Sequence, residues 1–394
     1  MAESLVKEHV SSKEKIWTRD FILICLANFF VFLGFQMTLP TIPLFVESLG
    51  GNDRLIGVVV GIFTFSALLI RPFAGQLLET KGRRFVFLAG LTIFILTIGA
   101  FGFTTSLILL FAIRVIQGIG WGYSTTASGT IATDLIPAKR RGEGMGYYGL
   151  SGNVALAIGP SLGLILVNMI SFKELFLICG LLGAIAWISA STIRYKKAEP
   201  MAIAAKTTKW NLYEKSSLQP SILIFFISVT FGGISTFLPL YADQRGVTGI
   251  QWYFFIFAAA LMTTRIFAGQ LYDKHGHKAI YIPSTILISI AMLLLAWMPN
   301  NIVLYIAAIC YGLGFGALQP ALQAWSVEKA AANRKGMANA TYFSFFDLGI
   351  GFGAILFGQI GYFLDYRSIY ITAALSVLLS IVIYIWLLIR NKQT

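Results

Sequence analysis

The chain has 394 residues, of which 57% are hydrophobic and only 12% charged. That is about half the charge of an ordinary soluble domain, and with a mean hydropathy of +0.76 it excludes a soluble globule. The net charge of +13 is no nucleic-acid footprint, because the basic residues sit almost entirely in alternate loops between apolar runs.

Those runs, in chain order, predict membrane-spanning helices at 20–47, 55–78, 85–104, 107–132, 144–167 and 175–194. A second set follows at 218–241, 251–272, 279–298, 302–327, 337–362 and 368–390. Twelve spans leave short loops and no room for a soluble catalytic domain. Residues 1–19 are charged and no small-residue cleavage pattern follows, so the first run is expected to stay as a span. The polar stretch 195–217, with Lys196, Lys197, Lys206, Lys209 and Lys215, reads as a cytoplasmic linker; a helix lying on the anionic leaflet is its alternative. The domains are therefore 1–194, the linker 195–217, and 218–394.

Arg54, Lys173, Arg245 and Arg367 lie in one set of loops and Arg71, Arg114 and Arg265 inside spans; the rest of the 30 Lys and Arg occupy the opposite loops and the termini. This asymmetry predicts a multi-pass protein of the cytoplasmic (inner) cell membrane with both termini in the cytoplasm. Cys25, Cys179 and Cys310 all fall in apolar runs, so no disulfide framework is expected.

The chain repeats itself. RPFAGQLLETKGRRF from Arg71 matches RIFAGQLYDKHGHKA from Arg265 at seven of fifteen positions, with an offset of 194. The same offset carries Gly118, Gly120 and Gly122 onto Gly312, Gly314 and Gly316, Asp134 onto Glu328, and Tyr148 onto Tyr342. Earlier, PLFVESLG from Pro43 matches PLYADQRG from Pro239 with an offset of 196. Two parallel six-span halves are a layout of secondary transporters whose site lies between the halves near the midplane.

Three clusters carry a resemblance. Between spans two and three stand Gly75, Leu77, Glu79, Gly82, Arg83 and Arg84. Span four carries Arg114, Gln117, Gly118 and Gly120. Span five carries Gly146, Ala155, Gly159, Pro160, Gly163 and Leu164. On these residues the chain resembles the major facilitator superfamily over essentially its whole length, and more narrowly the twelve-span drug:proton antiporters. The resemblance implies an all-α membrane protein with twelve transmembrane helices in two pseudo-symmetric six-helix lobes, working as a monomer. It implies that Glu79, standing where the family has Asp, joins Arg83, Arg84 and Asp134 in a cytoplasmic latch that holds the outward-facing state. Asp273, Gly276, Lys278 and Glu328 form a weaker second copy, with His277 in the arginine position. The resemblance also implies that Arg114 assists proton coupling and that Gly146, Gly159, Pro160 and Gly163 mark an exporter; Leu164 departs from that last pattern.

Asp347 is the only acid among the 17 near the middle of a span. An isolated carboxylate there suits proton exchange; permanent pairing, for instance with Arg114, and contact with a cationic substrate are its other readings. Arg71 and Arg265 lie about two turns before their loops, from where they could snorkel to the cytoplasmic boundary, and read mainly as gate or structural charges. Asn28, Gln36, Trp121, Tyr123, Asn153, Gln319, Gln323, Trp325 and Tyr342 are candidates for a cavity suited to an amphipathic organic solute. No phosphate loop, metal-ligand spacing or nucleophile–base pair is readable, so no cofactor, metal, nucleic acid or enzymatic activity is expected. His275 and His277 read as solvated loop residues. The sequence thus points to a proton-coupled exporter of a small organic solute, with partners limited to cargo, protons and lipid. An uptake symporter or facilitator is the alternative of the same fold, and a receptor or scaffold without flux is the alternative of another class.

Overall fold

The computed structural model describes residues 15–137, 140–195, 213–328, 330 and 335–390. Most of the expected linker, 196–212, lies outside the described residues, as do the side chains of Glu79 and Asp273. Every long element is a helix. In the first half these are α1 (Arg19–Ser48), α2 (Asp53–Thr80), α3 (Arg83–Phe101), α4 (Leu107–Leu135), α5 (Arg141–Val167) and α6 (Phe172–Ser191). In the second they are α7 (Leu218–Gln244), α8 (Ile250–Ala296), α9 (Asn301–Glu328), α10 (Lys335–Phe363) and α11 (Tyr366–Arg390).

The expected eighth and ninth spans are the two helical arms of α8, which meet at a kink at Gly276, where φ is 67°. An unbroken helix of its 47 residues would run ~70 Å, over twice the ~30 Å hydrocarbon thickness, so the break divides α8 into two crossings. The loop that separates two crossings by sequence is thus a single glycine-dependent reversal. Gly82, which stands 194 residues earlier between α2 and α3, takes the same left-handed φ, 85°. Only glycine enters this region without a Cβ penalty, so the repeated glycine marks the same sharp joint in each half.

Helix starts follow from local chemistry. Thr18 caps α1 by accepting the Phe21 amide at 3.2 Å, and Asn52 caps α2 by accepting that of Leu55 at 3.0 Å. Ser171 and Glu174 form a reciprocal capping box on α6. Before α11, hydrogen bonds from the Ser368 hydroxyl and amide hold the Asp365 carboxyl below the usual carboxylate range.

In the first lobe α1 packs on α5 and α6, α2 on α4, and α3 on α4 and α6; in the second, α7 packs on α10 and α11, and α8 on α9 and α11. The lobes meet chiefly through α2 against α10 and α5 against α8. A Cβ added to Gly57 of α2 would strike the Ala354 carbonyl and sit 3.1 Å from Gly358 Cα of α10. The helices therefore touch backbone to backbone, as small residues permit in membranes. Near this contact Tyr366 donates to Asp53 Oδ1 at 2.5 Å, and Ser161 of α5 donates to the Gln251 carbonyl of α8 at 2.9 Å. All four of these bonding residues lie at the α1–α2 end of the bundle, which is where the lobes are sealed.

Candidate functional site

Between the lobes lies a cavity of about 340 Å³, large enough for a small organic ligand. The first lobe gives it Asn28, Phe32, Phe35 and Gln36 from α1, Phe63 from α2, Arg114 and Trp121 from α4, and Asn153 from α5. The second gives Phe231, Arg265, Phe315, Gln319, Phe346 and Asp347. Five expected cavity residues, Asn28, Gln36, Trp121, Asn153 and Gln319, therefore line it.

Four others do not. Tyr123 lies on the side of α4 that meets Gly90 of α3. Gln323 donates to Asn339 at 3.1 Å, and the Tyr342 hydroxyl donates to the Gln319 carbonyl at 2.7 Å. Trp325 is buried against His277, with ring centroids 4.0 Å apart and planes nearly parallel. This corrects His277 as well: its ring is stacked, and its Nδ1 lies 3.1 Å from the Tyr384 hydroxyl. Helical periodicity alone did not separate the cavity face from the faces turned toward sister helices.

The wall is mainly aromatic. Phe35 stacks on Trp121 at 4.1 Å and on Phe63 at 5.2 Å in the first lobe, and Phe231 stacks on Phe315 at 5.7 Å in the second. The repeat explains the pairing: Phe35 and Phe231 are related by the offset of 196, and Trp121 and Phe315 by 194. These phenylalanines were missed because 32 Phe are spread along the chain and give no local signal.

Polar groups punctuate that wall. Asn28 donates to Ser151 Oγ at 2.9 Å and accepts from the Tyr148 hydroxyl at 2.9 Å. Arg114 is 2% exposed; its Nε donates to the Val59 carbonyl at 3.1 Å, its Nη1 to Gln117 Oε1 at 2.7 Å, and its guanidinium lies 4.4 Å over the Phe63 ring. All of its contacts are neutral. Arg114 is not the partner of Asp347. That carboxylate instead accepts from Arg71 Nη2 at 2.8 Å, joining α10 of one lobe to α2 of the other. The side chains of this pair are 27% and 26% exposed, so neither is sealed in a helix contact. Arg71 thus turns inward across the lobes, contrary to the outward reach expected of it. Arg265 also faces inward, donating to Gln319 Oε1 at 2.8 Å.

At the Gly82 end, Arg83 Nε donates to Asp134 Oδ2 at 3.1 Å and Arg83 Nη1 to the Leu78 carbonyl at 3.4 Å; Arg84 is exposed. The Arg83–Asp134 pair ties α3 to α4 and the start of α3 to α2, all within one lobe. In the second lobe Glu328 accepts from the Tyr272 hydroxyl at 2.5 Å. Gly159 and Gly163 let α5 sit against Gln36 and Met37 of α1, and Pro160 lies buried between them, whereas a Cβ at Gly75 or Gly146 would meet no described atom. The span-five glycines therefore split into two that pack and one that faces open space. Among the described residues no cluster of three or more His, Cys, Asp or Glu side chains could hold a metal ion.

The Major Facilitator Superfamily sequence profile matches residues 24–271 and 221–394. The multi-drug resistance efflux pump PmrA homolog of Lactococcus lactis is 24% identical, with 96% of each chain covered. The staphylopine export protein of Staphylococcus aureus is 26% identical over 86% of this chain and 88% of its own. A POT family transporter solved in complex with 5-aminolevulinic acid superposes with a TM-score of 0.78 at 13% identity, covering 93% of this chain and 96% of that one. Family and fold are those of a multi-pass membrane transporter, not an enzyme, and the chain belongs to the Major Facilitator Superfamily.

Proposed function

We propose that the protein is a proton-coupled exporter of a small amphipathic organic solute, working by alternating access in the cytoplasmic membrane with both termini inside. The observation that carries this reading is the Arg71–Asp347 bridge, which joins the lobes at a shared cavity that Asp347 lines. The basic loops assign the Gly82 end to the cytoplasm. With the lobes sealed at the Asp53 end, the arrangement then corresponds to an inward-open state ready to take cargo. Relatives named as exporters favour outward transport.

The coupling step follows from electrostatics. While Asp347 is ionised, its bond to Arg71 holds α10 to α2. A proton from outside, taken up by Asp347 in the outward-open state as cargo leaves, removes the charge, and a neutral hydrogen bond is roughly half as strong as a charge-assisted one. The lobes are then freer to exchange one opening for the other. Loss of the proton to the cytoplasm restores the bridge and the inward-open cavity. Glu79, Arg83, Arg84 and Asp134 act at the cytoplasmic end; because the observed Arg83–Asp134 pair lies within one lobe, their contribution is to hold the α2–α3 joint in shape. Arg114 sets the potential of the cavity wall.

The test is uptake of a fluorescent amphipath into inverted membrane vesicles under an imposed pH gradient. Asp347→Asn should abolish gradient-driven accumulation while leaving equilibration without a gradient. Equal accumulation in Asp347→Asn and the parent would remove Asp347 from coupling. Equal flux in empty and protein-containing liposomes would favour a receptor or scaffold, and accumulation in the opposite direction would favour an uptake symporter.

A further inference from the structure

We infer that the cavity carries an anion-binding subsite at Arg265 and Asn153, and that its cargo is an amphipathic organic anion whose carboxylate sits where the repeat lacks one. The inference rests on the transport reading above and specifies its substrate class.

The argument begins with the duplication. The offset of 194 carries Arg71 onto Arg265 and Asn153 onto Asp347. In one copy the arginine of one lobe meets the carboxylate of the other at 2.8 Å. In the other copy the arginine is kept but the position equivalent to the carboxylate is an amide, Asn153, and both residues line the cavity. Arg265 Nη2 has Gln319 Oε1 at 2.8 Å, its Nε is buried with no hydrogen-bond partner, and no carboxylate lies within salt-bridge distance among the described residues. A half-buried guanidinium without a counter-charge carries a desolvation cost, and the unpaired buried Nε–H adds to it. A cargo carboxylate would supply the missing counter-charge, as Asp347 does for Arg71, and a planar guanidinium matches its geometry.

The rest of the lining agrees in sign. Its charged residues are Arg114, Arg265 and Asp347, and Asp347 is already matched by Arg71. Arg114 is held only by neutral groups. The cavity therefore has surplus positive charge whether or not Asp347 is protonated. An organic cation would find no free carboxylate, whereas an anion would find two arginines and a Phe–Trp wall for its apolar body. Cargo and proton then do not compete for one carboxylate, and coupling runs through the bridge between the lobes.

The test is binding to the full-length protein in lipid nanodiscs, followed by tryptophan fluorescence, with three probes of one shape: naphthylacetate, naphthylacetamide and naphthylethylammonium. Naphthylacetate should bind about tenfold or more tighter than the other two, the scale of one added charge-assisted hydrogen bond. Arg265→Gln should erase its advantage over the amide. Asn153→Asp, which supplies the missing carboxylate from the protein, should weaken naphthylacetate about tenfold; a melting profile like the parent's shows that both variants are folded. The inference is overturned if the ammonium or the amide binds the parent as tightly as the acetate, if none of the three binds, or if the preference survives Arg265→Gln. Selective acetate binding without flux into liposomes would overturn the transport reading and leave the anion subsite standing.

Discussion

The two lobes share one helical plan but carry different chemistry at equivalent places. Beside the Gly82 joint, Arg83 and Asp134 form an ion pair. Beside the matching Gly276 joint, His277 stacks on Trp325, while Glu328 accepts a hydroxyl from Tyr272. In the fourth span Arg114 is buried; its mate, Ala308, is buried and apolar. Arg71 has a carboxylate of the other lobe, whereas Arg265 has the Gln319 amide of its own lobe. The backbone devices, glycine joints and aromatic stacks, are the shared part because both halves must pack and turn alike. The partners of the charges are the unshared part: Arg71 and Arg265 are both arginines, but only Arg71 has a carboxylate.

Variants can break or sharpen that comparison. The largest effect is expected at the seal between lobes. Gly57→Leu would drive a side chain into the Ala354 carbonyl and Gly358. It should block closure at the Asp53 end and reduce vesicle transport at least about tenfold, as a misplacement of about 1 Å can in a positioned site. Transport at the parent rate would show that this seal does not form during the cycle. Next, Ala308→Arg would give the second lobe a copy of the first lobe's buried cation without its prepared acceptors. An arginine at mid-span costs about 2.5–3.5 kcal/mol on insertion scales, so expression and thermal stability should fall. An unchanged melting profile would mean that the two lobes accept charge alike at this position.

Smaller effects are expected at the joints. Arg83→Ala removes a pair whose side chains are 25% and 27% exposed, so about 1 kcal/mol of stability or less is at stake, and the loss should shrink in high salt. His277→Ala removes a stacked ring rather than an ion pair; its loss of about 0.5–1.5 kcal/mol should be insensitive to salt. Detergent melts at low and high salt distinguish the two, and the same salt response in both would erase the distinction between the joints.

Much of this was legible in the sequence, for identifiable reasons. Span number and the repeat were readable because apolar length and a fixed offset survive without knowledge of contacts. Asp347 stood out because a carboxylate in an apolar run is rare. Its partner did not, because Arg71 lies 276 positions away in sequence and on the other lobe. Trp325 and Tyr342 looked like cavity groups, but a helix in a bundle buries faces on several sides, and theirs turn to His277 and to the Gln319 carbonyl.

The central claim is that ionisation of Asp347 sets which end of the bundle is open. It is tested most directly by the distance across the lobes, measured by spin labels at Phe73→Cys and Phe267→Cys, positions related by the repeat and 53% and 62% exposed. Acidification should shift the parent's distance distribution toward the alternative opening, and Asp347→Asn should show the acidic distribution at every pH. A parent distribution that does not move with pH would contradict the account.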